Sequence, residues 1–250
     1  MSFACIEKED PLASEILQLT IFLDGSKIQK DLFLAAIEVL TEDWQLYKAT
    51  LWTVELALGC LQSYSLIRPV TGNNVSVHIL VQKVMLGGIG KDALKYYEAA
   101  INLVHHCFPW GGELENMDTC RKYLPHGLSC IKYGTNFERK TSEVIWLLDS
   151  IGLFFINNGQ YDEANAHFEN ALWIKGKEFG LNDINTAATI MRIGMVCDSK
   201  GRYNDAISNY QRALRIYENA FGVDHINTAD TINNLGNIYV HQGKYDEAIA

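Results

Sequence analysis

The sequence predicts a mainly α protein, with a winged-helix-like arrangement of three helices and a β-hairpin followed by a solenoid of stacked helix pairs. Two observations carry this. The stretches "NNGQYDEA" (157–164), "SKGRYNDA" (199–206) and "HQGKYDEA" (241–248) are near-copies, and their glycines, Gly159, Gly201 and Gly243, stand 42 residues apart. Upstream, "SLIRPV" and "VSVHIL" flank "TGNN" (71–74), whose Gly and Asn residues favour a tight reversal between two short strands.

The repeats come first because they are the stronger signal. Tyr161, Tyr203 and Tyr245 keep the 42-residue step, as do Ala164, Ala206 and Ala248, Gly152, Gly194 and Gly236, and the pair "INTA" at 184–187 and 226–229. Self-similarity at a fixed period of this size means supersecondary units that bury their apolar faces only by stacking. In the second unit, 186–201 reads as the first helix and 202–222 as the next, with Gly201 as a helix C-cap. Small residues at Gly194 and Ala206 allow close approach, and Tyr203, Tyr210 and Leu214 fill the contacts. Residues 144–250 hold two such units and part of a third, so the array is expected to continue past Ala250, and Met1 to be an internal methionine of a longer frame or a true start.

Ahead of the array, residues 1–90 begin with Asp10-Pro11, a favourable helix start, followed by the apolar face Ile16, Leu17, Leu19, Ile21 and Phe22. Residues 27–40 read as a second helix and 46–64 as a third; the hairpin follows, and 80–86 returns to helix. Residues 91–143 form a helical linker without clear repetition, continuing through Pro125.

Bulk composition excludes several classes. The 250 residues carry 21 basic and 30 acidic side chains, a net charge of -9 spread without runs, which argues against nucleic acid as a partner. No apolar stretch is long enough to span a bilayer, and "MSFACIEKED" lacks the pattern of a secretory signal. Six cysteines at irregular spacings fit reduced thiols, so a cytoplasmic location is expected.

Two family resemblances follow from particular residues. "GVDHINTADTINNLGNIYVHQGKYDEA" (222–248) resembles the tetratricopeptide repeat in the long 42-residue form of kinesin light chains. "LTIFLDGSKIQKDLF" (19–33), "LQSYSLI" (61–67), "SVHILVQKVM" (76–85) and "CRKYLPH" (120–126) together resemble the winged-helix segment of NB-ARC/STAND signalling ATPases, with fungal NLR-like members nearest. The second resemblance implies an upstream nucleotide-binding domain in cis, ADP or ATP as its ligand, and oligomerisation on activation. It also places His78 where that family has a histidine approaching the β-phosphate of ADP. This chain has Ile79 where relatives commonly carry Arg, and a plain structural role for His78 at the end of a strand stands beside the sensor reading.

Other motifs point away from chemistry. "GGIGKDA" (87–93) puts Met85 and Asp92 where a phosphate loop needs Gly and a hydroxyl, so it reads as a linker. His105, His106, Cys107, Cys120, His126 and Cys130 lack the paired spacing of zinc ligands. No catalytic motif appears, so a non-catalytic interaction protein is expected. Stacked helix pairs present a concave face suited to a peptide or protein ligand. The repeat pattern assigns to it Met191, Met195 and Asp198 in the second unit and Asp230, Asn233, Asn237 and His241 in the third, with Trp146, Asp149, Leu153 and Ile156 the apolar set of the first. A merely solvated stripe is the competing reading for the third unit. Two functions stay open: a fragment of a nucleotide-gated, innate-immunity-type receptor whose repeats sense a ligand or mediate assembly, and a cargo adaptor similar to kinesin light chains.

Overall fold

In the computed structural model, residues 3–136 and 142–249 are described; Met1, Ala250 and the 137–141 part of the expected linker lie outside the described residues. The chain divides into two compact units. One comprises 1–110 and 116–147, the other 111–115 and 148–250.

The first unit opens with α1 (Phe3–Glu9) and α2 (Pro11–Leu19). Asp10 caps α2 by accepting from the amide of Ala13 at 3.0 Å, so the Asp-Pro start works as expected. Buried Ile16, Leu17, Leu19 and Phe22 make the core face, and the Phe22 ring meets Tyr97 and Tyr133 edge-on with centroids 5.7 and 5.2 Å away. The chain continues through β1 (Ile28–Gln29), α3 (Lys30–Leu34), α4 (Ala36–Val39), α5 (Leu51–Ser63), β2 (Ile67–Val70), β3 (Asn74–Val77), α6 (Ile79–Gly88), α7 (Ala93–Cys107) and α8 (Met117–Asn136). The three strands form an antiparallel sheet in the order β1-β3-β2, with Ile28 opposite Val75 and Ile67 opposite Val77.

Two expectations fail here. Residues 27–40 are not one helix: Ile28 and Gln29 are a strand, and the chain breaks again at Ala35. The fully buried Ile28 is drawn into pairing with β3, a long-range contact that outweighs the helical pattern of "KIQKDLF". Nor does the third helix begin at 46. Residues 45–48 form a 3₁₀ turn, and α5 starts only after Thr50, whose hydroxyl accepts from Thr53 while Thr53 reciprocates. The turn is held from outside, because the buried Glu15 carboxylate accepts from the amides of Gln45 (3.0 Å) and Leu46 (2.8 Å). Burial raises the Glu15 pKa, and those two amides oppose the rise.

His126, on α8, is fully buried and joins the β1 approach to that helix. Its Nδ1 accepts from the Asp24 amide at 3.1 Å, so Nε2 carries the proton and donates to the Gln29 side chain at 2.9 Å. Burial holds its pKa at about 4 against an ordinary 6.5, opposed by the nearby Asp24 carboxylate. The unfolded chain therefore takes up a proton near pH 6.5 that the folded chain refuses until about pH 4. Stability from this group is complete above pH 6.5 and is lost as pH falls through that window, by about 3 kcal/mol at most. Denaturant titrations followed by tryptophan emission report mainly on this unit, which holds Trp44, Trp52, Trp110 and Trp146. We expect His126→Gln to flatten the loss between pH 7 and 4 relative to the parent chain.

The second unit contains most of α9 (Ser142–Asn157), then α10 (Tyr161–Glu178), α11 (Ile184–Ser199), α12 (Tyr203–Phe221), α13 (Ile226–His241) and α14 (Tyr245–Ile249). From α10 to α14 each helix packs against the next. Each turn between paired helices has one geometry: Gly159, Gly201 and Gly243 have φ of 72, 70 and 72°. At each, the glycine amide donates to the carbonyl three residues back and the next amide to the carbonyl five back, as in Gly201 to Asp198 and Arg202 to Cys197, both 2.8 Å. Two helix-end carbonyls are thereby satisfied by a residue that only glycine adopts without strain. The "INTA" stretches are also explained. Asp183 and His225 cap α11 and α13 by accepting from Asn185 and Asn227, and fully buried Thr186 and Thr228 tie their hydroxyls to loop carbonyls.

Candidate protein-interaction face

The first helices of the pairs, α9, α11 and α13, present the residues singled out in the sequence. Along α13, Asp230, Asn233, Asn237 and His241 are all exposed, and among the described residues the first three side chains make no hydrogen bond or ion pair. His241 Nδ1 lies 3.6 Å from Asp198 Oδ1 on α11, and its ring is 6.1 Å from that of Tyr203. The fold thus joins two residues that the repeat pattern treats separately.

On α11 the stripe is only half exposed. Met191 packs against the core cluster of Ala187, Ile190, Ala213, Ile216 and Tyr217, and its sulfur accepts from Thr231 at 3.7 Å. Met195 and Asp198 are likewise half-buried.

On α9 one member of the expected set, Asp149, leaves the face, while Trp146, Leu153 and Ile156 stay half-buried on it. Asp149 is buried, with its Oδ2 2.7 Å from Lys175 Nζ and 3.0 Å from Arg192 Nη1. Lys175 also donates to Thr189 Oγ1 at 2.8 Å, and that hydroxyl donates to Asp149 Oδ1 at 3.2 Å. One helix position therefore runs from an ion-paired carboxylate (Asp149) through a half-buried thioether (Met191) to an exposed amide (Asn233). The partner position changes in step, because Lys175 and Tyr217 are also 42 residues apart. Asp149–Lys175 in one layer is Met191–Tyr217 in the next, and Thr189 and Thr231 reach the first member of each. Sequence reasoning missed the ion pair, although a Lys at the position of a core Tyr was a legible sign that something buried had to meet it. Trp146 leads into the same stripe and packs its ring against His105 and Trp110, at 4.6 and 5.6 Å between centroids.

Removing one member of a buried pair strands the other, at a cost of about 3–5 kcal/mol, while replacing both with apolar groups is often neutral. Asp149→Met alone is expected to fall in that range because it leaves two cations together. Asp149→Met combined with Lys175→Tyr, which copies the Met191–Tyr217 pair, should recover part of the loss, the remainder reflecting the Arg192 contact with Asp149 that both variants lack. Urea unfolding of four chains, the parent, Asp149→Met, Lys175→Tyr and the double variant, closes a double-mutant cycle that checks this.

In the first unit, His78 is exposed and caps α6, its Nδ1 accepting from the Leu80 amide at 3.1 Å. That leaves Nε2 protonated and without a partner among the described residues. Asp24, Ser26, Ser65, Arg68, Ser76 and His78 line a cavity of about 480 Å³. Cys120, His126 and Cys130 are buried in protein contacts, and among the described residues no three His, Cys, Asp or Glu are grouped to hold a metal. Among the described residues, no helix is long and apolar enough to cross a membrane.

A tetratricopeptide repeat family model matches residues 143–219 and again 186–250, so the second half of the chain is similar to tetratricopeptide repeats. A nucleotide-binding leucine-rich repeat (NLR)-like protein of Hyaloscypha variabilis is 26% identical over 193 residues, covering 76% of this chain and 18% of that protein. The chain thus spans less than a fifth of that relative's length. Among solved structures, BtubC from P. vanneervenii aligns with a TM-score of 0.48 and 16% identity, over 78% of each chain. A Rap protein complexed with Competence and Sporulation Factor aligns at 0.45 and 17%, over 68% of this chain and 44% of that one.

Proposed function

We propose that the chain is a non-catalytic protein-interaction segment of a nucleotide-gated signalling receptor, with the first helices of its repeats binding a peptide or protein ligand. The observation that carries this reading is the α13 stripe, where Asp230, Asn233 and Asn237 stand exposed at helical spacing with no partner among the described residues. Asparagine amides offer both donor and acceptor to a ligand backbone, and the half-buried Met191 and Met195 continue the surface as adaptable apolar area. The 42-residue step of the turn glycines supports long repeats of the kinesin-light-chain type.

The receptor half rests on residues 10–86. Helix α2, strand β1, helices α3 to α5 and the β2–β3 hairpin follow one another in the order of a winged helix, with β3 central in the sheet. The relative's name, NLR-like, supports the same assignment. An upstream domain in cis would supply ADP or ATP. Arg68 and the Nε2 proton of His78 suit a phosphate, while Asp24 in the same cavity opposes one. A cargo adaptor is the second reading, favoured by the repeats alone.

Two measurements test the proposal. Peptides selected from a display library on the parent chain should lose affinity about 5- to 100-fold on Asn233→Ala with Asn237→Ala, the worth of one or two net hydrogen bonds, with helicity kept. Unchanged affinity would remove the stripe from the reading. Sequencing the transcript upstream of residue 1 separates the two classes: an in-frame phosphate-binding loop is expected, and heptad coiled coil there would favour the adaptor.

A further inference from the structure

A separate feature of the repeats lies on the second helix of a pair. Asn182, in the loop before α11, and Arg212, Arg215, Ile216 and Asn219 of α12 enclose a cavity of about 340 Å³. Arg212 is aimed by donating from Nη2 to the Leu181 carbonyl at 2.8 Å, which leaves its other N–H groups available. Among the described residues Arg215, Asn182 and Asn219 make no side-chain hydrogen bond or ion pair. The nearly buried Ile216 supplies an apolar wall, and no carboxylate lines the cavity. In a chain with 30 acidic and 21 basic residues, two guanidinium groups three residues apart with no ion pair are a local reversal of charge.

We propose that this cavity binds a dianionic phosphoryl group, supplied by free phosphate or by a phosphorylated side chain of a protein partner. Two guanidinium cations, of which Arg212 is held in place by the Leu181 carbonyl, balance two negative charges. A guanidinium presents its donors in a planar fork that matches two phosphoryl oxygens at once. The Asn182 and Asn219 amides add donors for the third oxygen, one more than a carboxylate can offer as acceptor. The site is distinct from the first-helix stripe, so it stands or falls independently of the ligand read there.

The test uses the full 250-residue chain and a fluorescein-labelled Gly-Ser-Gly-phosphoserine-Gly-Ser-Gly peptide, read by fluorescence anisotropy, with inorganic phosphate as competitor. We expect saturable binding that is at least tenfold weaker for the Asp peptide and absent for the Ser peptide. Arg215→Gln should weaken it at least tenfold and Arg215→Lys less, whereas Arg202→Gln, elsewhere on the array, should leave it unchanged. Arg215 is exposed, so its loss leaves the fold intact, and an unaltered melting curve confirms that. Displacement by inorganic phosphate at the phosphopeptide's own concentration identifies free phosphate as the ligand; displacement only at large excess identifies the side-chain-borne group. No phosphate-dependent binding, or binding indifferent to Arg215→Gln, overturns the proposal.

Discussion

The second unit depends on an aromatic ring seated where a side chain is missing. A methyl group built at Gly152 would lie 2.5 Å from the Phe168 ring, and one at Gly194 would lie 2.7 Å from Tyr210. Phe168 and Tyr210 are themselves 42 residues apart and fully buried. The ring thus occupies the space of the absent Cβ, which sets how near the two helices of a pair come. A larger residue at either glycine forces off-rotamer packing, with a typical cost of about 1–3 kcal/mol. The buried alanines Ala164 and Ala206 keep the facing helix equally close. With that separation set, the caps, turn bonds and stripe positions recur at fixed offsets.

Uniform spacing does not make the layers chemically uniform. The ion pair of Asp149 and Lys175 occupies the place that Met191 and Tyr217 fill one layer later. A buried pair in hydrocarbon surroundings is poor evidence for added stability, since an apolar pair of similar volume does as well. Its consequence is geometric. Two cations and a threonine hydroxyl turn Asp149 inward, so the first-helix stripe changes character from a sealed polar contact to the exposed amides of α13. Any ligand lying along this stripe meets a surface graded from closed to open.

The first unit shows the opposite balance, with little repetition and many single-use polar contacts. Glu15 caps a turn thirty residues away, and His126 bridges the Asp24 amide and the Gln29 side chain across about a hundred. Gln82 donates to the carbonyls of Thr20 and Leu23, tying α6 to the end of the first apolar run. Each is a buried polar group satisfied by a distant partner, and none leaves a periodic trace in the sequence.

Much of this protein was legible in the sequence because the signals are local. The turn glycines need a left-handed conformation, Asp10-Pro11 starts a helix, and "TGNN" reverses the chain, all within a few residues. The exposed stripe of Asp230, Asn233 and Asn237 was readable for the same reason, since helical spacing puts residues on one face wherever the helix lies. Tertiary structure alone decided what depends on partners far along the chain. Ile28 and Gln29 become a strand only because β3 lies beside them. Asp149 leaves the stripe only because Lys175 and Arg192 reach it. The Arg212–Arg215 cavity exists only because the loop at Asn182 folds over α12. Propensity and periodicity act over one or two turns, whereas pairing, charge compensation and cavities are set by long-range contacts.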